Sequence, residues 1–257
     1  MMELITGDNF IKRCNYHFVG TGNIVIREPN IGEIPKYFIC LENTSVDLFF
    51  THFKPTNEFI IVTHNSDIHI DNKFLNYLND DLLFKWYSQN VDLVHPKLIS
   101  IPIGIANEIW LHGDSSKVNH YIDNGVKKER LVFSSFQTWT NPTERNYCLT
   151  EINNKGIYNS SHIDFNSYLY EVSKSFFMIS PRGNGVDCHR NWESIYLKTI
   201  PIITESINFT HFYKDFPFLI IKDWSELDVS VLTEENYHKI WNNFDINKLN
   251  VDSFLNL

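Results

Sequence analysis

Short apolar runs recur along the chain, and most close on a polar residue. They are YFICL (37–41), EFIIVTH (58–64), KLISIPI (97–103), RLVFSSF (130–136), SFFMIS (175–180), TIPIIT (199–204) and FLIIKD (218–223). Their length and their β-branched and aromatic content predict buried strands. Stretches with helical character lie between them: NKFLNYLNDDLLFKWYSQN (72–90), HIDFNSYLYEVSK (162–174), CHRNWESIYLK (188–198) and LTEENYHKIWNNF (232–244). Strand alternating with helix predicts an α/β fold, with parallel sheets covered by helices on both faces. The segment IPIGIANEIWLHGDSSK (101–117) begins as a strand and then turns polar, which places a boundary there. The expected organisation is two α/β domains, 1–104 and 105–257, facing a cleft. In such sheets ligands sit beyond the carboxyl ends of the strands, so the residues after each strand carry the functional interest.

Composition narrows this picture. Hydrophobic residues make up 43% and aromatics 15%, enough for a sizeable core and too much for disorder. The formal charge is −9 without a basic stripe, which argues against nucleic acid as a partner but leaves room for a local anion site. Runs such as FPFLII are too short to span a bilayer, and MMELITGDNFIKRC lacks the basic start and apolar stretch of a signal peptide. Cys14, Cys40, Cys148 and Cys188 are scattered, as expected of reduced thiols. A soluble, cytoplasmic protein with no transmembrane segment is the expectation.

The densest chemistry lies in SPRGNGVDCHRNWE (180–193). Pro181 ends a strand, Gly183 and Gly185 permit unusual backbone angles, and Asp187 is placed to cap a helix starting near Cys188. Such a strand–loop–helix unit favours an anion, and Arg182 and Arg190 flank the spot. His189, Arg190 and Glu193 share one side of that helix by spacing. Arginine for phosphate and a carboxylate for vicinal ribose hydroxyls describe a nucleotide site. The competing reading is a solvated surface helix after a simple turn, because neither GxGxxG nor GxxxxGK[ST] is present.

The stretch 168–204, YLYEVSKSFFMISPRGNGVDCHRNWESIYLKTIPIIT, resembles the donor-binding segment of exostosin-like glycosyltransferases, through HRNWE above all. FPFLIIKDWSEL (216–227) and, more loosely, KWYSQNVDLVHPKLISIPIGIANEIWLHGD (85–114) are similar to other parts of those proteins. The resemblance implies two Rossmann-like domains facing a central cleft (the GT-B type), with a nucleotide sugar, UDP favoured, held by the second domain. It also implies inversion at the anomeric carbon, a glycan or glycoprotein acceptor, and no metal or other cofactor. Carried over, Arg190 holds the diphosphate, the loop from Ser180 through Arg182, Gly183, Asn184 and Gly185 holds the phosphates, and Glu193 holds the ribose. Asp187 and His189 line the sugar pocket, Arg145 of NPTERN (141–146) adds a diphosphate contact, and the last helix crosses back onto the first domain. Lys198 and Thr199 occupy the turn where the family usually has a glycine, and Arg182 stands where it often has a small residue or proline.

Inverting transfer needs a base, and VTHNSD (62–67) puts His64 and Asp67 after a strong strand. The same residues also read as an ordinary turn. Gly104 and Asn107 are expected to shape a hinge, and Trp110 and His112 either pack between domains or face an acceptor. Two rival functions are a non-catalytic nucleotide- or glycan-binding module and a metal-dependent hydrolase using His64, Asp67 and His69.

Overall fold

The computed structural model describes residues 3–42 and 44–255. Its strands are β1 (Tyr16–Phe18), β2 (Asn23–Val25), β3 (Lys36–Cys40), β4 (Phe59–His64), β5 (Leu83–Ser88), β6 (Leu98–Ser100), β7 (Arg130–Ser134), β8 (Ser175–Ile179), β9 (Ile200–Thr204) and β10 (Leu219–Ile221). Its α-helices are α1 (Gly7–Lys12), α2 (Ser45–Leu48), α3 (Leu75–Leu78), α4 (Ser115–Asn124), α5 (Pro142–Asn154), α6 (Phe165–Ser173), α7 (His189–Tyr196), α8 (Glu234–Trp241) and α9 (Val251–Leu255). The chain is a mixed α/β fold built on two sheets. One has six strands in the order β2-β1-β3-β4-β5-β6, and the other four in the order β10-β9-β8-β7. Every pairing is parallel except β1 with the edge strand β2.

The strands that read as continuous apolar runs are the covered ones. Every residue of β4 and β8 is buried, whereas the edge strands β2 and β10 are exposed or half-buried. Helix starts follow side-chain chemistry. Asp114, Asp164 and Thr233 each accept a backbone N–H in the first turn of α4, α6 and α8, and Asn141 does so for α5 with Pro142 behind it.

The expected helix over 72–90 is corrected. After a single helical turn (α3), Asp80 ends it: its Oδ1 accepts the Leu82 N–H, and Lys54 holds its carboxylate at 2.7 Å. The remainder, LFKWYS, is β5, paired between β4 and β6.

Two contacts tie the chain ends to the interior of the sequence, and a third ties the ends to each other. Tyr87 of β5 donates to the Leu255 carbonyl (3.3 Å), Arg13 pairs with Asp252 (2.7 Å), and the Tyr196 hydroxyl of α7 accepts the Ile5 N–H (2.8 Å). Leu249, Val251 and Leu255 thereby join one core with Ile5, Phe10 and Tyr87. Lys198, just past α7, adopts φ 56°, the left-handed conformation for which glycine is the usual occupant. Among the described residues no helix is long and apolar enough to cross a membrane.

Candidate functional site

The segment between β8 and α7 is fixed from within by Asp187. Its Oδ1 accepts the Cys188 N–H (2.8 Å) and the Asn191 amide (3.0 Å), and its Oδ2 accepts the Trp192 indole (2.7 Å) and the Ile103 N–H (2.9 Å). Ser180 extends the network by donating to Asn191 Oδ1 (2.6 Å). Burial pushes the Asp187 carboxyl up to about 6, against the hydrogen bonds that favour its charged form. Asp187 is thus a buried knot, and its expected place in the lining of a sugar pocket is corrected: each of its oxygens is already committed to two donors.

The glycines are needed for contact, not for backbone angle. Neither Gly183 nor Gly185 has positive φ, which corrects the sequence reading. A Cβ on Gly185 would lie 2.6 Å from Asn90 Nδ2, and one on Gly183 would lie 3.2 Å from Arg145 Nη2. Asn90, beyond β5, accepts the Asp187 N–H (3.0 Å) and donates to the Ser66 carbonyl (2.9 Å), so the loop is pressed onto the ends of the first sheet. Asn184 completes the clamp by donating to Asp67 (3.1 Å), while its carbonyl lies 3.3 Å from His69 Nε2.

On one side of this crest lies a cavity of about 250 Å³ whose lining includes Arg145, Tyr168, His189, Arg190 and Glu193. Four of these are sequence candidates, contributed by α5 and α7. Arg145 is buried and donates through Nε to the Arg182 carbonyl (3.0 Å) and through Nη1 to that of Gln137 (2.7 Å). Arg190 donates to the Ser135 carbonyl (3.0 Å), and its guanidinium lies 5.9 Å from the centre of the Phe136 ring. Among the described residues neither guanidinium forms an ion pair. Burial, and then the charge of Arg190, push Arg145 down to about 10. Two close cations without a carboxylate partner make this an electropositive hollow.

Glu193 faces the same hollow and accepts the Tyr168 hydroxyl (2.8 Å), while burial pushes its carboxyl up to about 7. His189 Nδ1 lies 2.8 Å from the Gly104 carbonyl. A carbonyl only accepts, so Nδ1 carries the proton and Nε2 keeps its lone pair. Burial holds His189 down at about 4, so the ring stays neutral in ordinary buffers.

The other candidates lie elsewhere. Arg182 lines a second cavity of about 250 Å³ on the far side of the crest, with Ser180, Glu144, Glu205, Lys222 and Asp223 among its neighbours there. Arg182 and Arg190 thus line different cavities, where the sequence reading has them flank one spot. His64 is 1% exposed; its Nε2 donates to the Pro102 carbonyl and its Nδ1 lies beside the Asn65 amide, both at 3.0 Å. Burial lowers its pKa and keeps the ring away from solvent. Asp67 is exposed at the end of β4, with its hydrogen bond to Asn184. Among the described residues no group of three or more His, Cys, Asp and Glu side chains is arranged to hold a metal ion.

Sequence reasoning missed Tyr168 and Asn90. A tyrosine beside the buried Leu169 on an amphipathic helix needs a partner for its hydroxyl, which was an available signal. Asn90 has no such signal, because its role depends on the approach of a loop almost a hundred residues away. A scan against protein-family models finds no match to this chain, and neither does a search of the curated proteins.

Proposed function

We propose that this chain is a glycosyltransferase that moves a sugar from a nucleoside-diphosphate sugar, UDP favoured, to a hydroxyl of a glycan or glycoprotein. One observation carries the reading: Arg145 and Arg190 converge on one cavity without a carboxylate partner, beside the buried Glu193. Negative charge develops on the diphosphate as the bond to the anomeric carbon breaks, and two preorganised guanidiniums stabilise it there. Glu193, steadied by Tyr168, accepts hydrogen bonds from the ribose diol. The two predominantly parallel sheets are then the Rossmann-like domains of a GT-B type fold, with the exostosin-like HRNWE segment opening α7.

In this scheme Asp67 deprotonates the acceptor hydroxyl as it attacks from the face opposite the leaving diphosphate, which inverts the anomeric carbon. His64 is left out because its ring is buried and its Nε2 is held by the Pro102 carbonyl. Asp67 must exchange its bond to Asn184 for the acceptor. That bond also favours the second reading, a nucleotide- or glycan-binding module without catalysis.

Turnover of a UDP-sugar separates the two. Removing one such charge-stabilising donor costs about 2.7–4 kcal/mol, so Arg190→Ala should lose about a hundredfold or more in kcat. Asp67→Asn should abolish transfer while UDP still binds. Unchanged transfer in Arg190→Ala contradicts the mechanism, and UDP binding without transfer by the unmodified protein favours the module.

A further inference from the structure

The cavity beside Arg182 lies beyond the carboxyl ends of three neighbouring parallel strands, β8, β9 and β10. Ser180, Thr204, Glu205, Ser206, Lys222 and Asp223, which close or follow those strands, all line it. Open α/β sheets collect their ligands at that end. At about 250 Å³ the cavity is smaller than the roughly 300–1,000 Å³ of drug-sized sites, so its occupant is small.

Arg182 is unlike every other arginine of the chain. Of the six, Arg13, Arg27 and Arg130 pair with carboxylates, and Arg145 and Arg190 donate to backbone carbonyls. Arg182 is half-buried, yet its guanidinium makes no hydrogen bond or ion pair among the described residues. Partly removing a guanidinium from water without giving it an acceptor is costly, which points to a partner outside the chain. Lys222 likewise forms no ion pair among the described residues, although carboxylates line the same cavity.

Those carboxylates are held to the wall by other donors. Glu144 accepts the Trp224 indole (2.7 Å), and Asp223 accepts the Ser225 N–H (2.9 Å) and hydroxyl (2.6 Å). Glu205 is fixed by its backbone, whose N–H donates to the Ile221 carbonyl (2.9 Å), while its exposed carboxylate has no partner among the described residues. Two uncommitted cations and one uncommitted carboxylate in a small cavity select a ligand that carries both signs of charge. A phosphate dianion is disfavoured, because three carboxylates line the cavity against two cations. A planar carboxylate matches the fork of a single guanidinium.

We propose that the cavity beside Arg182 binds a free α-amino acid, with its carboxylate on Arg182 and Lys222 and its ammonium on Glu205. The site uses neither Arg145 nor Arg190 and stands apart from the transferase reading.

Calorimetric titration tests it, with the proteinogenic amino acids, their carboxamides, their N-acetyl forms and inorganic phosphate as probes of the full chain, Arg182→Gln and Glu205→Gln. At least one amino acid should bind the unmodified chain. Its carboxamide and its N-acetyl form should each bind about tenfold or more weakly, since each loses one charged contact. Both variants should bind the amino acid about tenfold or more weakly, and Arg182→Gln should bind the carboxamide as well as the unmodified chain does. Glu205 is exposed, so its variant keeps the fold and reports on the site even where Arg182→Gln does not fold. Binding of no amino acid or of phosphate alone overturns the proposal. So does a carboxamide or N-acetyl form that binds as tightly as the free amino acid, or an unchanged affinity in Glu205→Gln.

Discussion

The two cavities on either side of the Asp187 crest have about the same volume, 250 Å³, yet opposite electrostatics. Beside Arg190 the lining holds two guanidiniums against one carboxyl, and burial raises that carboxyl to about 7. Beside Arg182 the lining holds Arg182 and Lys222 against Glu144, Glu205 and Asp223. There Glu144 is occupied by the Trp224 indole (2.7 Å) and Asp223 by the Tyr147 hydroxyl (2.5 Å). The first hollow has more cationic than acidic side chains in its lining and the second the reverse, although Arg182 Nε there is buried without a hydrogen-bond partner. Two arginines eight residues apart in sequence thus do different work, because the chain turns over a buried carboxylate between them.

The largest way to break this contrast is to remove the crest itself. Asp187→Ala leaves the Ile103 and Cys188 amides, the Asn191 amide and the Trp192 indole without their acceptor. A loss of at least about 3 kcal/mol is expected in chemical denaturation, from the cost of stranding buried donors. A loss below about 1 kcal/mol would mean that the segment is held by other contacts.

A smaller effect sharpens the electrostatic half of the contrast. The Glu193 carboxyl ordinarily titrates near 4.5 and is raised to about 7 in the fold. Between those values the folded state binds more protons than the unfolded chain, so stability falls as pH rises from about 4.5 to about 7 and stays lowered above it. Glu193→Gln removes the penalty and keeps an oxygen for Tyr168. The variant should gain on the order of 2 kcal/mol relative to the unmodified protein at pH 8, and the gain should vanish near pH 4. A pH-independent difference between the two proteins contradicts an ionising Glu193 in a dry wall.

Much of this architecture was legible in the chain. YFICL, EFIIVTH, SFFMIS and TIPIIT read as buried strands because covered parallel strands are apolar throughout. β5 was hidden because LLFKWYS follows FLNYL at a spacing that also suits a helix; only the Asp80 turn separates them. The cluster of Arg145, His189, Arg190 and Glu193 was foreseen from strand ends and helical spacing. The roles of Arg182 and Asp187 were not, since the side of a loop that a side chain takes depends on what presses against it. Asn90 and Ile103 do that pressing, from more than eighty residues away.

The central claim is that the Arg145–Arg190 cavity, and not its neighbour, grips a diphosphate. Calorimetric titration of UDP into the unmodified chain, Arg190→Ala and Arg182→Ala tests it most directly. UDP should bind the unmodified chain and Arg182→Ala within about threefold of each other, and bind Arg190→Ala at least about tenfold more weakly, as loss of a charge-assisted hydrogen bond implies. Equal binding by the two variants, or a larger loss in Arg182→Ala, would contradict it.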